Sequence, residues 1–196
     1  KSSQATTSDQ YAGWAANQST ANNYNYIRFA DVLLLAAEAE VEAGSLAEAE
    51  RYVNLVRARA ARPEGWVHTY ANPSDPTKGF TDIPAANYKV GLYTGQIAGG
   101  TKEFARQAVR FERRLELAME GQRFFDLQRY DQGTGFMAQV LNSYVTKELG
   151  FYPASNPYRI LQGAKFVQGQ DEVFPIPQRQ IDISNGLLKP NQNTGQ

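Results

Sequence analysis

Residues 27–62 read IRFADVLLLAAEAEVEAGSLAEAERYVNLVRARAAR, and this stretch decides the fold. Its first half carries Phe29, Val32, Leu33, Leu34, Ala36, Ala37 and Val41. Arg28, Asp31, Glu38 and Glu42 are confined to a narrow stripe at helical spacing, with Glu40 the exception. A helix over 27–43 that is apolar on most sides packs against more than one neighbour. Gly44 stops it. Ser45 and Glu48 form an S-x-x-E pattern, which predicts a capping box at the start of a second helix. There Leu46, Ala49, Val53, Val56 and Ala60 recur at spacings of three and four. Arg57, Arg59 and Arg62 complement the helix dipole in the last turns, and Pro63 ends the helix. So short a connection forces the two helices antiparallel. The pair is a hairpin of tetratricopeptide type, with Ala37, Gly44 and Ala49 small enough for close packing.

Working outward, a third helix is expected over 101–120, with Phe104, Ala108, Phe111, Leu115 and Ala118 on one face. Gly121 breaks it, and a shorter continuation follows over 123–130. A fourth runs over 136–149, uses Phe136, Val140, Leu141, Tyr144, Val145 and Leu149, and ends at Gly150. Residues 63–100 and 151–196 read as long irregular loops, with one short extended piece at Val173–Phe174. The class is all-α with extensive loops, and loops of that length inside a domain usually carry function.

Composition narrows the function. Among 196 residues, 20 Lys and Arg balance 20 Asp and Glu, which argues against nucleic acid as a partner because phosphate binding needs a basic excess. The 42% hydrophobic content suffices for a folded core. The absence of Cys removes disulfides, a thiol nucleophile and Cys-ligated metals. His68 is the only histidine, too little for a His-based zinc site or a Ser-His-Asp triad. Asp75 and Asp82 lack the D-x-D-x-D-G spacing of a calcium loop, and Gly99-Gly100-Thr101-Lys102 lacks the leading glycine and full spacing of a phosphate loop. No metal and no cofactor is expected. The run over 27–43 is too charged to cross a bilayer. Residues 1–26, nearly uncharged and rich in Ser, Thr, Asn and Gln, contain no signal peptide and read as the interior of something longer.

Two groups of side chains invite a functional reading. The first is the charge-dense segment Glu112, Arg113, Arg114, Glu116, Glu120, Gly121, Arg123, Asp126 and Arg129. Glu112, Glu116 and Glu120 repeat every four residues on one helix face, and nothing sets a second carboxylate across a cleft from them as glycoside hydrolysis requires. Arg113 stands three residues before Glu116, a spacing for an ion pair along the helix. At least one Arg–carboxylate pair here is expected to be partly buried and to tie the third helix to the hairpin. The second group is aromatic: Trp66, Tyr70, Phe80, Tyr88 and Tyr93, set among Gly, Pro, Asn and Asp in the long loop, and Trp14 in the opening segment. Sugar rings offer apolar C–H faces that stack on aromatic planes, while amides and carboxylates bind hydroxyls. Trp66 and Tyr70 are the foremost ligand candidates, followed by Tyr88, Tyr93 and Trp14. The alternative is that these rings pin the loop to the helices.

Three segments resemble the SusD/RagB family. Tyr26 to Ala39, YIRFADVLLLAAEA, is similar to that family's Y-x-I-R-Y-A-D-V-L-L-x-x-A-E-A helix, and Asn54 to Ala60 closes the helix after it as there. Glu112 to Tyr130, ERRLELAMEGQRFFDLQRY, is similar to E-R-R-x-E-L-A-x-E-G-x-R-x-x-D-L-x-R-W. Val173 to Pro177, VFPIP, and Gln192-Asn193 resemble x-F-P-I-P and Q-N-P-G-Y, although the Pro and Tyr of the latter are absent here. The resemblance implies a SusD-like helical fold and, for residues 1–196, the C-terminal region of a longer outer-membrane lipoprotein whose N-terminal half, with its lipidated cysteine, is not in this sequence. It further implies a non-enzymatic protein of the cell surface in Bacteroidota-type bacteria. Such a protein would bind a glycan or other oligomeric nutrient as a lid over its partner, a SusC-like TonB-dependent transporter, and would touch the membrane only through its lipid anchor. The rival expectation is a helical protein–protein interaction module without a small ligand; an enzyme comes third.

Overall fold

The computed structural model describes residues 25–156 and 159–189. Trp14 and Gln192-Asn193 lie outside the described residues. The chain divides into two compact units, 1–120 and 121–196.

In the first unit, α1 (Phe29–Ala43) and α2 (Leu46–Ala60) form the expected hairpin across Gly44 and Ser45. The N-terminal end of α1 and the C-terminal end of α2 meet at one carboxylate, Glu116, which takes both Arg28 and Arg59. Antiparallel packing follows from that shared contact. The third helix, α3 (Lys102–Glu116), lies against both. Ala30, Leu34, Ala37 and Val41 of α1 interlock with Ala49, Val53 and Val56 of α2 and with Ala105, Ala108 and Val109 of α3. Half of these are alanines, so the helices come close. Between α2 and α3 stands a two-stranded antiparallel hairpin, β1 (His68–Tyr70) and β2 (Phe80–Pro84), preceded by a one-turn 3-10 helix at Pro63–Gly65 and with a second, Pro76–Lys78, in the loop joining its strands.

Several details depart from the sequence reading. The capping box does not form: Glu40 reaches over from α1 to accept the Ser45 N–H at 2.8 Å, and Glu48 instead pairs with Arg51. A cap the spacing did not single out forms at Thr101, whose hydroxyl accepts from the Phe104 N–H at 3.1 Å. α3 turns its charged motif inward. Glu112 and Arg113 are buried with Ala105, Ala108 and Val109, whereas Phe104, Phe111 and Leu115, expected on the packing face, are exposed. On α1, Leu34 is sealed and Leu33 partly buried, while Leu35, Val32 and Phe29 are exposed, so part of the apolar surplus is left uncovered.

The second unit holds α4 (Gln122–Asp131), α5 (Phe136–Phe151) and α6 (Gln178–Ile183). Gly121 precedes α4 with φ of 78°, a left-handed conformation in which a side chain would be strained. The turn from α4 to α5 is organised by the buried Asp131, whose carboxylate accepts the N–H of Met137 at 2.7 Å and of Gly133 at 3.1 Å. Leu127, Tyr130, Met137 and Ala138 are buried with it. Val173–Phe174 is irregular rather than extended, and α6, read as loop from the sequence, is a helix of six residues.

Candidate functional site

The aromatic loop is built from the end of α2 onward. Pro63 cannot continue the helix, and the 3-10 turn it opens swings Trp66 back so that its indole N–H donates to the Ala60 carbonyl at 3.1 Å. Tyr88 stacks on Trp66 with ring centroids 5.0 Å apart and planes at 22°, and its hydroxyl accepts from the Val67 N–H. Further along the hairpin, Tyr70 and Phe80 occupy paired strand positions and stack at 5.1 Å and 23°. The Thr69 and Thr81 hydroxyls, 2.5 Å apart, join the same two strands. Tyr70 and Phe80 are exposed; Trp66 and Tyr88 are half-buried. The leading candidates Trp66 and Tyr70 therefore stack in two separate pairs, each with a partner from the returning arm of the loop.

Tyr93 has a different setting. Along one face of α2, Glu50, Asn54 and Arg57 clip residues 91–98 in place. The Asn54 amide donates to the Tyr93 carbonyl and accepts from its N–H, both at 2.9 Å. Arg57 donates to the Gly91 carbonyl and lies 4.9 Å from the Tyr93 ring centroid. The Glu50 carboxylate accepts from the N–H groups of Gly95, Ile97 and Ala98 at 2.8, 2.9 and 3.0 Å. Burial opposes its charge, but these three donors outweigh that and hold its pKa below the usual carboxylate range. Tyr93 packs against the hydrophobic core.

The charged motif also resolves into named contacts. Arg113 donates to Asp31 at 2.8 Å with both side chains buried. Glu112 takes Arg57 at 2.7 Å, and Glu116 takes Arg28 at 2.5 Å together with Arg59. Glu120 accepts from the Arg28 Nε at 2.7 Å. Hydrogen bonding to Glu120 and Glu116 drives the Arg28 pKa further up, against its partial burial. The expected pair of Arg113 with Glu116 along the helix is replaced by pairs that cross to α1 and α2, because the face bearing them is turned into the unit. In the second unit, Asp126 is held by Arg129 at 3.0 Å. With the motif's glutamates bound to guanidinium groups, they are poorly placed to trade protons with a substrate.

His68 lies in β1, and Asp75 is spent on its own turn, accepting from the Thr77 N–H at 3.1 Å. Among the described residues no group of three His, Cys, Asp or Glu is placed to hold a metal ion.

At the end of α2, residues 58, 59 and 61–65 line an open cavity of about 760 Å³ whose charged groups are Arg59, Arg62 and Glu64. The sequence reading assigned those arginines to the helix dipole alone. In the second unit, one face of α5 (Leu141, Tyr144 and Val145) lines a cavity of about 550 Å³ with Phe166 and Phe174. Only the fold reveals that cavity, since periodicity assigned the same α5 residues to the core.

The SusD family model matches residues 3–195. A SusD-like protein P2 from Formosa agariphila is 31% identical over 186 residues, covering 93% of this chain and 28% of that relative. The crystal structure of a SusD homologue from Bacteroides thetaiotaomicron superposes with a TM-score of 0.57 at 30% identity, covering 90% of this chain and 28% of that one. The chain thus spans little more than a quarter of the length of either.

Proposed function

The chain belongs to the SusD family, and from that membership we propose that it is the C-terminal region of a non-catalytic nutrient binder at the outer-membrane surface. The resemblance of Glu112–Tyr130 and Val173–Pro177 to motifs of the family's C-terminal part supports this placement. In this reading the longer protein carries the lipid anchor, sits on a SusC-like TonB-dependent transporter and passes it an oligosaccharide. The observation that carries the ligand class is the clustering of two stacked aromatic pairs, Trp66–Tyr88 and Tyr70–Phe80, in one surface segment between α2 and α3. Flat rings backed by a second ring are stiff platforms for the C–H faces of sugars. Tyr93 and Trp14 complete the set of candidate contacts.

The test is a glycan panel titrated against the chain and against its Trp66→Ala, Tyr70→Ala and Tyr88→Ala variants, with product analysis for shortened sugars. Binding that weakens in the variants without hydrolysis is the expected result. Capture of peptides in place of glycans overturns the ligand class. A second reading, a helical protein–protein interaction module, draws on the exposed apolar residues Phe29, Val32 and Leu35 of α1 and Phe104, Phe111 and Leu115 of α3. It requires that no glycan bind.

A further inference from the structure

We infer that the site at the end of α2 selects glycans bearing an anionic substituent, a carboxylate or a sulfate, held by Arg62 and Arg59 while a neighbouring sugar lies against the Trp66–Tyr88 pair; this rests on the glycan reading above. The hydrogen bond from the Trp66 indole to the Ala60 carbonyl lays the ring alongside the last turn of α2. That same turn and the 3-10 turn after it, as far as Gly65 next to Trp66 in the chain, line the cavity of about 760 Å³.

The arginines of this run are used unequally. Arg57 is committed inward, to Glu112, to the Gly91 carbonyl and to the Tyr93 ring. Arg59 gives one amino group to Glu116 and its side chain is still 55% exposed. Arg62 is exposed, and among the described residues no carboxylate pairs with it. Several carbonyls at the end of α2 already have donors. Those of Arg57, Arg59 and Arg62 accept from the N–H groups of Ala61, Arg62 and Gly65, and that of Ala60 from the indole. Lys89, next to Tyr88, is also exposed, leaving Glu64 as the acidic group of the cavity lining. A guanidinium fork fits the paired oxygens of a carboxylate or sulfate, and a neutral sugar gives it no such partner.

The experiment is isothermal titration of the chain with matched sets of one backbone each: xylo-oligosaccharides against glucuronoxylo-oligosaccharides and their carboxyl-reduced forms, and desulfated against sulfated carrageenan oligosaccharides. The expected result is that an anionic member binds about tenfold tighter than its neutral counterpart, the scale of one charge-assisted contact. That advantage shrinks between about 50 and about 500 mM salt, and Arg62→Gln reduces it several-fold while leaving the melting temperature unchanged. The carboxylate and sulfate arms identify which group is read. Equal affinity for neutral and anionic members, or an advantage undiminished in Arg62→Gln, overturns this inference and leaves the glycan reading standing. Failure of every glycan, charged or neutral, overturns both.

Discussion

The Arg113 guanidinium donates to the Asp31 carboxylate at 2.8 Å, across from α3 to α1, with the two side chains only 3% and 7% exposed. The two residues come from two different segments of the three that carry the family resemblance. Their pairing explains why α3 buries its charged face and leaves Phe104, Phe111 and Leu115 outside. Once desolvated, each charge depends on the other, since an isolated buried ion is far more costly than an exposed phenyl ring.

Removing one partner should therefore be expensive. Asp31→Ala or Arg113→Ala is expected to lower the unfolding free energy by about 3–5 kcal/mol. Arg51→Ala, which breaks the exposed Arg51–Glu48 pair, should cost far less, because solvent screens it. Urea denaturation of the three variants checks the contrast. Losses of similar size would mean that the buried pair carries no special weight.

The clip along α2 predicts a local effect. Glu50→Gln keeps the shape of the side chain but weakens acceptance from the N–H groups of Gly95, Ile97 and Ala98. Those three amides should exchange with solvent faster, while amides within α1 keep their protection. Uniform acceleration across the first unit would instead indicate global destabilisation.

Acid should act through Glu42. Hydrogen bonding from Arg106, with Lys102 assisting and partial burial opposing, holds its carboxyl at about 2 against 4.5 for the unperturbed side chain. Between those values the unfolded chain takes up a proton that the folded one refuses. The stabilisation is thus complete above pH 4.5 and is lost as the pH falls from there toward 2. The stability gap between the parent and Glu42→Gln should close over that window. Because the group is largely exposed, the gap is small and shrinks with salt. A gap independent of pH would rule the pair out.

Asp131 offers a counterpart in the second unit. Asp131→Ala leaves the N–H groups of Gly133 and Met137 without their acceptor at the start of α5. The expected loss is about 1–3 kcal/mol, with Asp131→Asn retaining part of it. Circular dichroism melts of both variants would test the order, and Asn no better than Ala would contradict it.

How far the sequence carried can be judged from particular elements. α1, α2 and α5 were legible because long apolar periodicity and nearby Gly or Pro act within one helix. The charged motif was legible as structural, and its tie to the hairpin was anticipated, but its partners were not: Asp31, Arg28 and Arg57 lie far away in the chain, and spacing along α3 cannot reveal them. β1 and β2 were missed because strands of three and five residues show no alternation. They depend on contacts made only in the fold, the Tyr70–Phe80 stack and the Thr69–Thr81 hydroxyl pair. Composition singled out the loop aromatics as a group, yet it could not pair Trp66 with Tyr88, or separate the clipped Tyr93 from the exposed Tyr70.

The most direct measurement of the central claim is glycan affinity by titration calorimetry for the parent and Trp66→Ala, with folding of both checked by circular dichroism. Loss of one true stacking anchor should cost about 2 kcal/mol, roughly thirtyfold in Kd, with no shortened sugars released. Unchanged affinity in Trp66→Ala, and likewise in Tyr70→Ala and Tyr88→Ala, would contradict the account by removing the loop from the binding site.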